Sequence, residues 1–342
     1  MSALIAGQRV LFFGPKTFNY EREIIRALEG KGAAVAYMND KPWDSAWLKA
    51  LLRLFPRLAW LKADSYYRSW IEHSAPPAID IVLIVKGEAI SPRTLRRLRS
   101  KYPHARFLLY LWDSLSNVRG TVAKLAYFDV LFSFDRDDCL NHRQFRYRPL
   151  FFLEQYRNLC SGRPPEAKCF FLGTLNGDRP RVLRRLLDAL QHSAELDYWL
   201  FVRSGLELQV RKLFDRSLRS LDSLRLLRRP MTSAQIAERL ATATAVIDIE
   251  HPRQAGLTMR TFEVLASGRK LITTNRRIEL ESFFDPQRIL VIERTCPAIP
   301  DHFLRSAAAP LADDFFSRYS IDGWLEELFA GLPPAAAPPL RA

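Results

Sequence analysis

The chain has 342 residues, 48% of them hydrophobic, so it is long enough for roughly two globular domains and apolar enough to give each a core. Its 51 Lys and Arg against 37 Asp and Glu give a formal charge of +14, which predicts an anionic partner: nucleic acid, a phosphorylated small molecule or a membrane surface. Four cysteines without CxxC spacing argue against a zinc or disulfide framework, and the lack of a long apolar run or signal peptide predicts a cytoplasmic protein.

The first half alternates strands and helices. Its predicted strands are RVLFFG (9–14), AAVAYMND (33–40), DIVLIVKG (80–87), RFLLYLWD (106–113) and DVLFSFD (129–135). A helical pattern over 19–30 joins the first two. This order is typical of a doubly wound α/β domain, whose ligands bind at the carboxyl ends of the strands.

Several strand ends in this half carry polar residues or glycine. Gly14 and Lys16 follow the first strand, without the spacing of a P-loop or a GxGxxG motif. Lys86, Asp113 and Asp135 end the later strands, which makes them candidates for the wall of a cleft. The alternative for each is a turn or helix-cap role.

A basic amphipathic segment lies between the second and third strands. Residues 43–70 place leucines and tryptophans at helical spacing, interleaved with Lys49, Arg53, Arg57 and Lys62. Such a segment either packs on the sheet or lies in a membrane interface with its cations toward lipid phosphates. Further arginine-rich helices occur without any RNP-like, KH-like or Cys/His finger pattern, which disfavours specific nucleic-acid recognition.

The hydrophobic periodicity is lost over residues 148–165, where glycine and proline occur, and this predicts a linker. A second alternating half follows, in which a strand from Lys168 runs through Gly173 and Thr174 into a GTLNG loop and an arginine-rich helix, parts suited to phosphate. Later segments predict strands over 197–205 and 288–294. An aromatic amphipathic helix follows Pro310 and precedes a frayed tail.

Residues 245–275, AVIDIEHPRQAGLTMRTFEVLASGRKLITTN, predict a β-loop-α-β unit. Thr258 can cap the helix and Gly268 can end it. The loop before the helix places free backbone N–H groups at the helix N-terminus, which is an ordinary phosphate-binding site. Glu263 lies one turn further along the helix, where its two carboxylate oxygens could accept hydrogen bonds from a ribose. Alternatively, Arg260 and Glu263 on the polar face are only a surface i, i+3 pair.

The segment TMRTFEVLASGRKLITTN resembles the donor-binding motif of GT-B glycosyltransferases, a loop and helix with R-x-x-E, an A-x-G turn and an apolar strand. With FFGPKTFNYEREI and VIDIEHPRQAGLTMRTFEVLASG, it is similar to the CgeB-like group of bacterial capsule, lipopolysaccharide and exopolysaccharide gene sets. The resemblance implies an α/β fold of two Rossmann-like domains facing across a cleft. The implied domains are an acceptor domain (1–155), a donor domain (166–310), a helix returning to the first domain (311–331) and a tail (332–342).

The resemblance also implies site residues. Glu263 and Arg260 would belong to the donor site, with Glu263 on the ribose, and Gly256, Leu257 and Thr258 would present N–H groups to the diphosphate. The remaining implied donor contacts are Gly173, Thr174, Arg179, Arg181, Arg203 and Ser204. Many retaining members have E-x₇-E, but Ala255 stands where the first Glu would fall.

Arginine, lysine and helix N-termini can stabilise a departing nucleoside diphosphate, so we expect no metal and no cofactor beyond the nucleotide-sugar co-substrate. The only DxD-like spacing, Asp135-Arg-Asp137, lies in the first half and is interpreted as a strand-end turn. An inverting enzyme needs a base, for which Asp113 is the candidate. Lys86, and His251 in the donor loop, complete the predicted catalytic group, and Gly14 and Lys16 the predicted acceptor cleft.

Three hypotheses follow. The first is a cytoplasmic glycosyltransferase that works at the inner membrane face, with a nucleotide-sugar donor and a saccharide or lipid-linked acceptor. The second is a noncatalytic double-Rossmann protein that binds a nucleotide or polyanion, which Ala255 keeps open. The third is nucleic-acid binding by the basic helices, which predicts steep salt dependence.

Overall fold

The structure is a computed structural model, and it describes residues 4–41, 43, 55–159, 167–202, 205–222, 225–252 and 254–333. Two compact units divide the chain: the first is Met1–Pro149 together with Ile321–Ala342, and the second is Leu150–Ser320. Arg203, Ser204, Lys49, Arg53 and most of the predicted tail lie outside the described residues.

The first unit contains a parallel sheet of six strands in the order β2-β1-β3-β4-β5-β6. The strands are β1 (Arg9–Gly14), β2 (Ala34–Asn39), β3 (Ile81–Val85), β4 (Arg106–Leu111), β5 (Val130–Ser133) and β6 (Phe145–Tyr147). The first five confirm the predicted strands, and β3 has all five residues buried, as a central parallel strand should. The short edge strand β6 was not predicted.

The helices described between these strands are α1 (Tyr20–Gly30), α2 (Pro56–His73), α3 (Pro92–Lys101) and α4 (Arg136–Asn141). Side-chain caps mark the starts of α3 and α4. At α3, the Ser91 side chain accepts the Thr94 N–H at 3.1 Å and Pro92 takes the first turn. At α4, the Asp135 carboxylate accepts the Asp137 N–H at 2.9 Å, as expected for a strand-end turn at Asp135-Arg-Asp137.

The second unit also contains a parallel six-stranded sheet, in the order β12-β11-β10-β7-β8-β9. Its strands are β7 (Lys168–Thr174), β8 (Glu195–Phe201), β9 (Leu226–Leu227), β10 (Ala245–Asp248), β11 (Lys270–Thr273) and β12 (Ile289–Val291). Its helices are α5 (Arg179–Leu190), α6 (Gly205–Phe214), α7 (Arg216–Arg219), α8 (Ser233–Thr242), α9 (Met259–Ala266), α10 (Asp301–Arg305) and α11 (Asp313–Tyr319). The two sheets confirm the expected pair of Rossmann-like α/β domains.

The single aromatic helix predicted after Pro310 is two helices. The first, α11, belongs to the second unit, where Phe315 packs edge-on against Phe283 with ring centroids 5.4 Å apart. The second, α12 (Ile321–Ala330), belongs to the first unit. Its Glu327 lies 3.0 Å from Arg148, and Glu326 accepts a hydrogen bond from Lys31 at 2.9 Å.

No helix in the described part of the chain combines the length and the apolar character needed to span a bilayer.

Candidate functional site

The β10–α9–β11 unit of the second sheet has the predicted connectivity, but Thr258 behaves differently from a helix cap. It occupies the N-cap position of α9 without a capping hydrogen bond. Its hydroxyl instead donates to the carboxylate of Asp248, at the end of β10, at 2.6 Å, and the Thr261 hydroxyl lies 3.3 Å from the same oxygen. Burial raises the pKa of Asp248, while the hydrogen bond from Thr258 acts in the opposite direction. Gly268 ends the helix as predicted, with φ of +85°.

The loop before α9 leaves backbone donors unpaired. Among the described residues, the N–H groups of Gly256, Leu257 and Thr258 have no acceptor. The loop is nevertheless fixed, because the Asn275 amide donates to the carbonyl oxygens of Ala255 at 3.1 Å and Gly256 at 3.3 Å. Buried N–H groups are almost always paired with protein, water or ligand, and Gly256 and Leu257 are buried. The N-terminus of α9 therefore has unused capacity to bind an anion.

Arg260 and Glu263 form an ion pair with a 2.9 Å separation, but the pair is not on the surface. The Glu263 side chain is 3% exposed and the Arg260 side chain 16%. The preceding segment covers α9: the Asn158 N–H donates to the Ala266 carbonyl at 2.9 Å. Burial, with a further contribution from the charge of Glu263, raises the pKa of Tyr156 in this segment to about 12. The surface-pair alternative is therefore wrong.

Arg179, a predicted phosphate contact, is held by the protein itself. Its guanidinium donates to the carbonyl oxygens of Ile249 at 2.7 Å and Thr174 at 2.9 Å, which joins the ends of β10 and β7. Burial lowers its pKa. Arg181 is 60% exposed and lies 3.8 Å from Asp215. Gly173 lies in β7, where an added Cβ would stand 2.7 Å from the Phe171 ring.

A second arginine at this edge was missed from the sequence. Arg294, after β12, donates to Asp178 at 2.8 Å and to the Glu250 carboxylate at 2.7 Å. Glu250 is 6% exposed and also accepts a hydrogen bond from the Thr274 hydroxyl. The sequence did contain a signal, because Arg294 is the last residue of the strand predicted over 288–294, and the carboxyl ends of parallel strands meet at one edge of the sheet.

The structure brings the GTLNG loop and the His251 loop together. Gly177, with φ of +53°, lies so close that an added Cβ would stand 3.3 Å from Pro252 and 4.0 Å from the His251 ring. Both loops leave the sheet from adjacent strands, since β7 pairs with β10. Two segments that the sequence marked separately as suited to phosphate are thus neighbours.

In the first unit, two of the predicted strand-end residues are paired. Lys86 forms a salt bridge with Asp113, and its ammonium lies 3.4 Å from Glu88, which also pairs with Lys41. Lys86 has φ of +67°, a conformation that side chains rarely adopt and that clusters at functional sites.

Two buried ionisable groups accompany this cluster and were not predicted. Asp40 is fully buried, and burial raises its pKa to about 6. Lys124 is 3% exposed, donates to the Gly87 carbonyl at 2.6 Å, and has a pKa lowered by burial to about 8. Perturbed groups of this kind concentrate at functional sites.

The predicted acceptor residues have different environments. The Gly14 carbonyl accepts hydrogen bonds from the Tyr37 hydroxyl at 2.9 Å and the Asp40 N–H at 3.2 Å, so Gly14 links β1 to the end of β2. Lys16 is exposed. Among the residues placed by the structure, no group of three His, Cys, Asp or Glu has a metal-binding arrangement.

No protein-family model and no curated protein sequence matches the chain. Solved structures do. OtsA in its apo form matches with a TM-score of 0.64 at 12% identity, covering 94% of this chain and 98% of the other. AviGT4, a glycosyltransferase of avilamycin A biosynthesis, gives 0.56 at 13% identity, covering 94% and 97%. Anabaena Alr3699/HepE, in complex with UDP and glucose, gives 0.54 at 12% identity, covering 95% of both chains.

These likenesses establish the fold. The chain has the two-Rossmann-domain GT-B fold, with one six-stranded parallel sheet in each unit. At 12–13% identity, they establish the fold alone.

Proposed function

We propose that the protein is a glycosyltransferase that transfers a sugar from a nucleotide-sugar donor to a saccharide or lipid-linked acceptor. The observation that carries this proposal is the fixed loop with three unpaired N–H groups at Gly256, Leu257 and Thr258, at the N-terminus of α9. A HepE structure with UDP and glucose bound, which shares the fold, supports a nucleotide-sugar donor.

The chemistry of the donor edge fits a diphosphate. The three N–H groups and the positive end of the α9 dipole are suited to the charge that develops when a nucleoside diphosphate departs. Arg179 and Arg294 hold these loops in place by donating hydrogen bonds to carbonyl oxygens and carboxylates. The proposed phosphate contacts therefore come mainly from the backbone, with Arg181, Gly173 and Thr174 as further donor-side residues.

Glu263 is proposed to accept hydrogen bonds from the ribose. Glu263 also pairs with Arg260, and an ionised carboxylate can accept from more than one donor because it has about four lone-pair sites. Arg260 orients the carboxylate in this arrangement and so acts as a positioning residue.

For catalysis we propose Asp113 as the general base toward the acceptor hydroxyl. Its side chain is 29% exposed, so a substrate can reach it, and the salt bridge with Lys86 holds the carboxylate in place. His251 is proposed to contact the donor sugar or phosphate. Gly14 and Lys16 are proposed as acceptor contacts, and no metal or additional cofactor is invoked.

The pathway is proposed from the sequence resemblance: synthesis of a bacterial surface polysaccharide, at the cytoplasmic face of the inner membrane. A second candidate is a noncatalytic nucleotide-binding protein. Ala255 favours it, because many retaining GT-B glycosyltransferases carry the first Glu of E-x₇-E at that position.

The test is a thermal-shift screen with UDP, GDP, CMP and ADP sugars, followed by the matching nucleoside diphosphate, monophosphate and nucleoside. We expect one nucleotide family to stabilise the protein, with the diphosphate stronger than the monophosphate and the nucleoside weakest. Stabilisation by none of them, with tight and salt-sensitive DNA binding, would refute the proposal. Binding without release of nucleoside diphosphate in the presence of saccharide acceptors would favour the noncatalytic candidate.

A further inference from the structure

Helix α2 exposes apolar side chains in a stripe. Leu58 is 56% exposed and Leu61 67%, and Phe55, directly before the helix, is 58% exposed. The opposite face of the helix is buried in the core through Ala63 and Tyr67. Leu58 and Leu61 are neighbours on the helix surface at i, i+3, and Phe55 is the N-cap residue of the same helix. Exposed apolar side chains grouped in this way are typical of interaction surfaces.

Helix α3, which packs against α2, carries exposed cations. Asp64 of α2 accepts a hydrogen bond from the Thr94 hydroxyl at 2.7 Å, which fixes the two helices against each other. Arg93, Arg96 and Arg97 of α3 have no ion-pair or hydrogen-bond partner within the described ranges. They line an open groove of about 570 Å³, whose other lining residues are Ile71, Glu72, Ser100 and Lys101.

The charge of this groove is unbalanced. Arg93, Arg96, Arg97 and Lys101 face a single carboxylate, that of Glu72. Lys101 is held by the carbonyl oxygen of Ile71, whereas the three arginines remain available to an external anion. The exposed apolar side chains and the unpaired arginines therefore lie on two helices that pack against each other.

We propose that this surface, formed by Phe55, Leu58 and Leu61 of the α2 region and Arg93, Arg96 and Arg97 of α3, docks the protein on an anionic lipid bilayer. The apolar side chains enter the headgroup region, and the arginines bind lipid phosphates. Nucleic acid fits less well, because a phosphate backbone satisfies the arginines but leaves the apolar stripe in water. The inference concerns attachment alone and does not depend on glycosyl transfer.

The experiment measures co-sedimentation of the full chain with vesicles of phosphatidylcholine alone and of phosphatidylcholine with phosphatidylglycerol. The test variant is Arg93→Gln/Arg96→Gln/Arg97→Gln, and the matched control is Arg184→Gln/Arg216→Gln/Arg219→Gln, which removes three exposed arginines from α5 and α7 of the second unit. We expect much stronger binding to the anionic vesicles than to the neutral ones, and a loss on the order of 100-fold for the anionic vesicles in the test variant. The control should keep most of the affinity.

A second variant, Leu58→Ser/Leu61→Ser, tests the apolar part. We expect it to weaken the binding that remains at high salt, since insertion of leucine is not screened by ions. Circular dichroism and a melting curve check that each variant is folded. Equal loss in both arginine triples, equal binding to neutral vesicles, or DNA binding without vesicle binding would each overturn the proposal.

Discussion

The Thr258 hydroxyl donates to the Asp248 carboxylate at 2.6 Å and therefore does not cap the helix that it precedes. A threonine at the N-cap ordinarily satisfies one of the first helical N–H groups. Here the side chain fastens the loop to the end of β10 instead. The consequence is a fixed helix N-terminus whose donors are left for a ligand.

The first prediction concerns Thr258→Val, which keeps the shape of the side chain and removes the hydroxyl. Among the described residues, the Asp248 carboxylate then keeps the 3.3 Å contact with the Thr261 hydroxyl, and the loss of a hydrogen bond to a buried carboxylate costs about 1–3 kcal/mol of stability. Because the loop is less firmly held, we expect the affinity for the preferred nucleoside diphosphate to fall roughly tenfold. Calorimetric titration measures this.

The matched control is Thr232→Val at the start of α8. Thr232 does cap its helix, accepting the Gln235 N–H at 3.3 Å, so its replacement also costs about 1 kcal/mol. Nucleotide affinity should be unchanged in this variant. If both variants weakened the nucleotide equally, the effect would reflect general destabilisation of the second unit.

The second prediction separates the structural and binding roles of Glu263. Glu263→Ala leaves Arg260 without its buried partner and should lower the free energy of unfolding by about 3–5 kcal/mol. The double variant Arg260→Met/Glu263→Leu removes both charges, so most of that stability should return, as urea denaturation would show.

Nucleotide binding then gives the decisive readout. If Glu263 holds the ribose, the double variant loses the preference for a ribonucleotide over its 2′-deoxy form although it is stable. A stable double variant that retained this preference would assign Glu263 a purely structural role.

The sequence predicted best those elements for which a single local pattern is sufficient. Strands such as β3 were predicted because an uninterrupted apolar run is required by burial on both faces of a parallel sheet. The strands β6 and β9 were not, because three and two residues carry no periodicity and exist only through pairing with their neighbours. The split between α11 and α12 was missed for a related reason: both helices are aromatic and amphipathic, and only tertiary packing assigns them to different units.

The burial of Glu263 shows the limit of helical periodicity. The pattern placed Arg260 and Glu263 on the polar face of α9, which is correct for the helix alone. The segment containing Tyr156 and Asn158, about a hundred residues earlier, covers that face. Asp40 and Lys124 were missed similarly, because their burial depends on contacts between elements distant in sequence.

The third prediction concerns the pH dependence caused by Asp40. Burial raises the pKa of this carboxyl from 3.8 to about 6; Glu88 adds to the rise, and Lys41 and Lys86 oppose it. The folded state then binds the proton more tightly than the unfolded state, so stability falls as pH rises from about 4 to about 6. Above this window the loss amounts to ~3 kcal/mol.

Asp40→Asn should remove this loss. We expect it to raise the free energy of unfolding at pH 7.5 and to have little effect at pH 3.5, where Asp40 is protonated in both states. Asp80 is the contrasting control, since its hydrogen bond with Arg9 lowers its pKa, so that its contribution is lost as pH falls. An Asp40→Asn variant with the same pH profile as the parent chain would contradict the assignment.

The fourth prediction tests how α12 contributes to the first unit. Trp324 is fully buried and meets the Tyr110 ring edge-on, with centroids 4.9 Å apart. Trp324→Ala should therefore cost about 3–5 kcal/mol, because it leaves a cavity against the sheet. Phe214→Ala, at a side chain that is 86% exposed, should change stability by less than about 0.5 kcal/mol.

Scanning calorimetry with and without the preferred nucleotide shows which unit is affected. The nucleotide should raise the unfolding temperature of the second unit in both variants, while only Trp324→Ala should lower the unfolding temperature of the first unit. If Trp324→Ala left every transition unchanged, α12 would be dispensable for the first unit despite its burial.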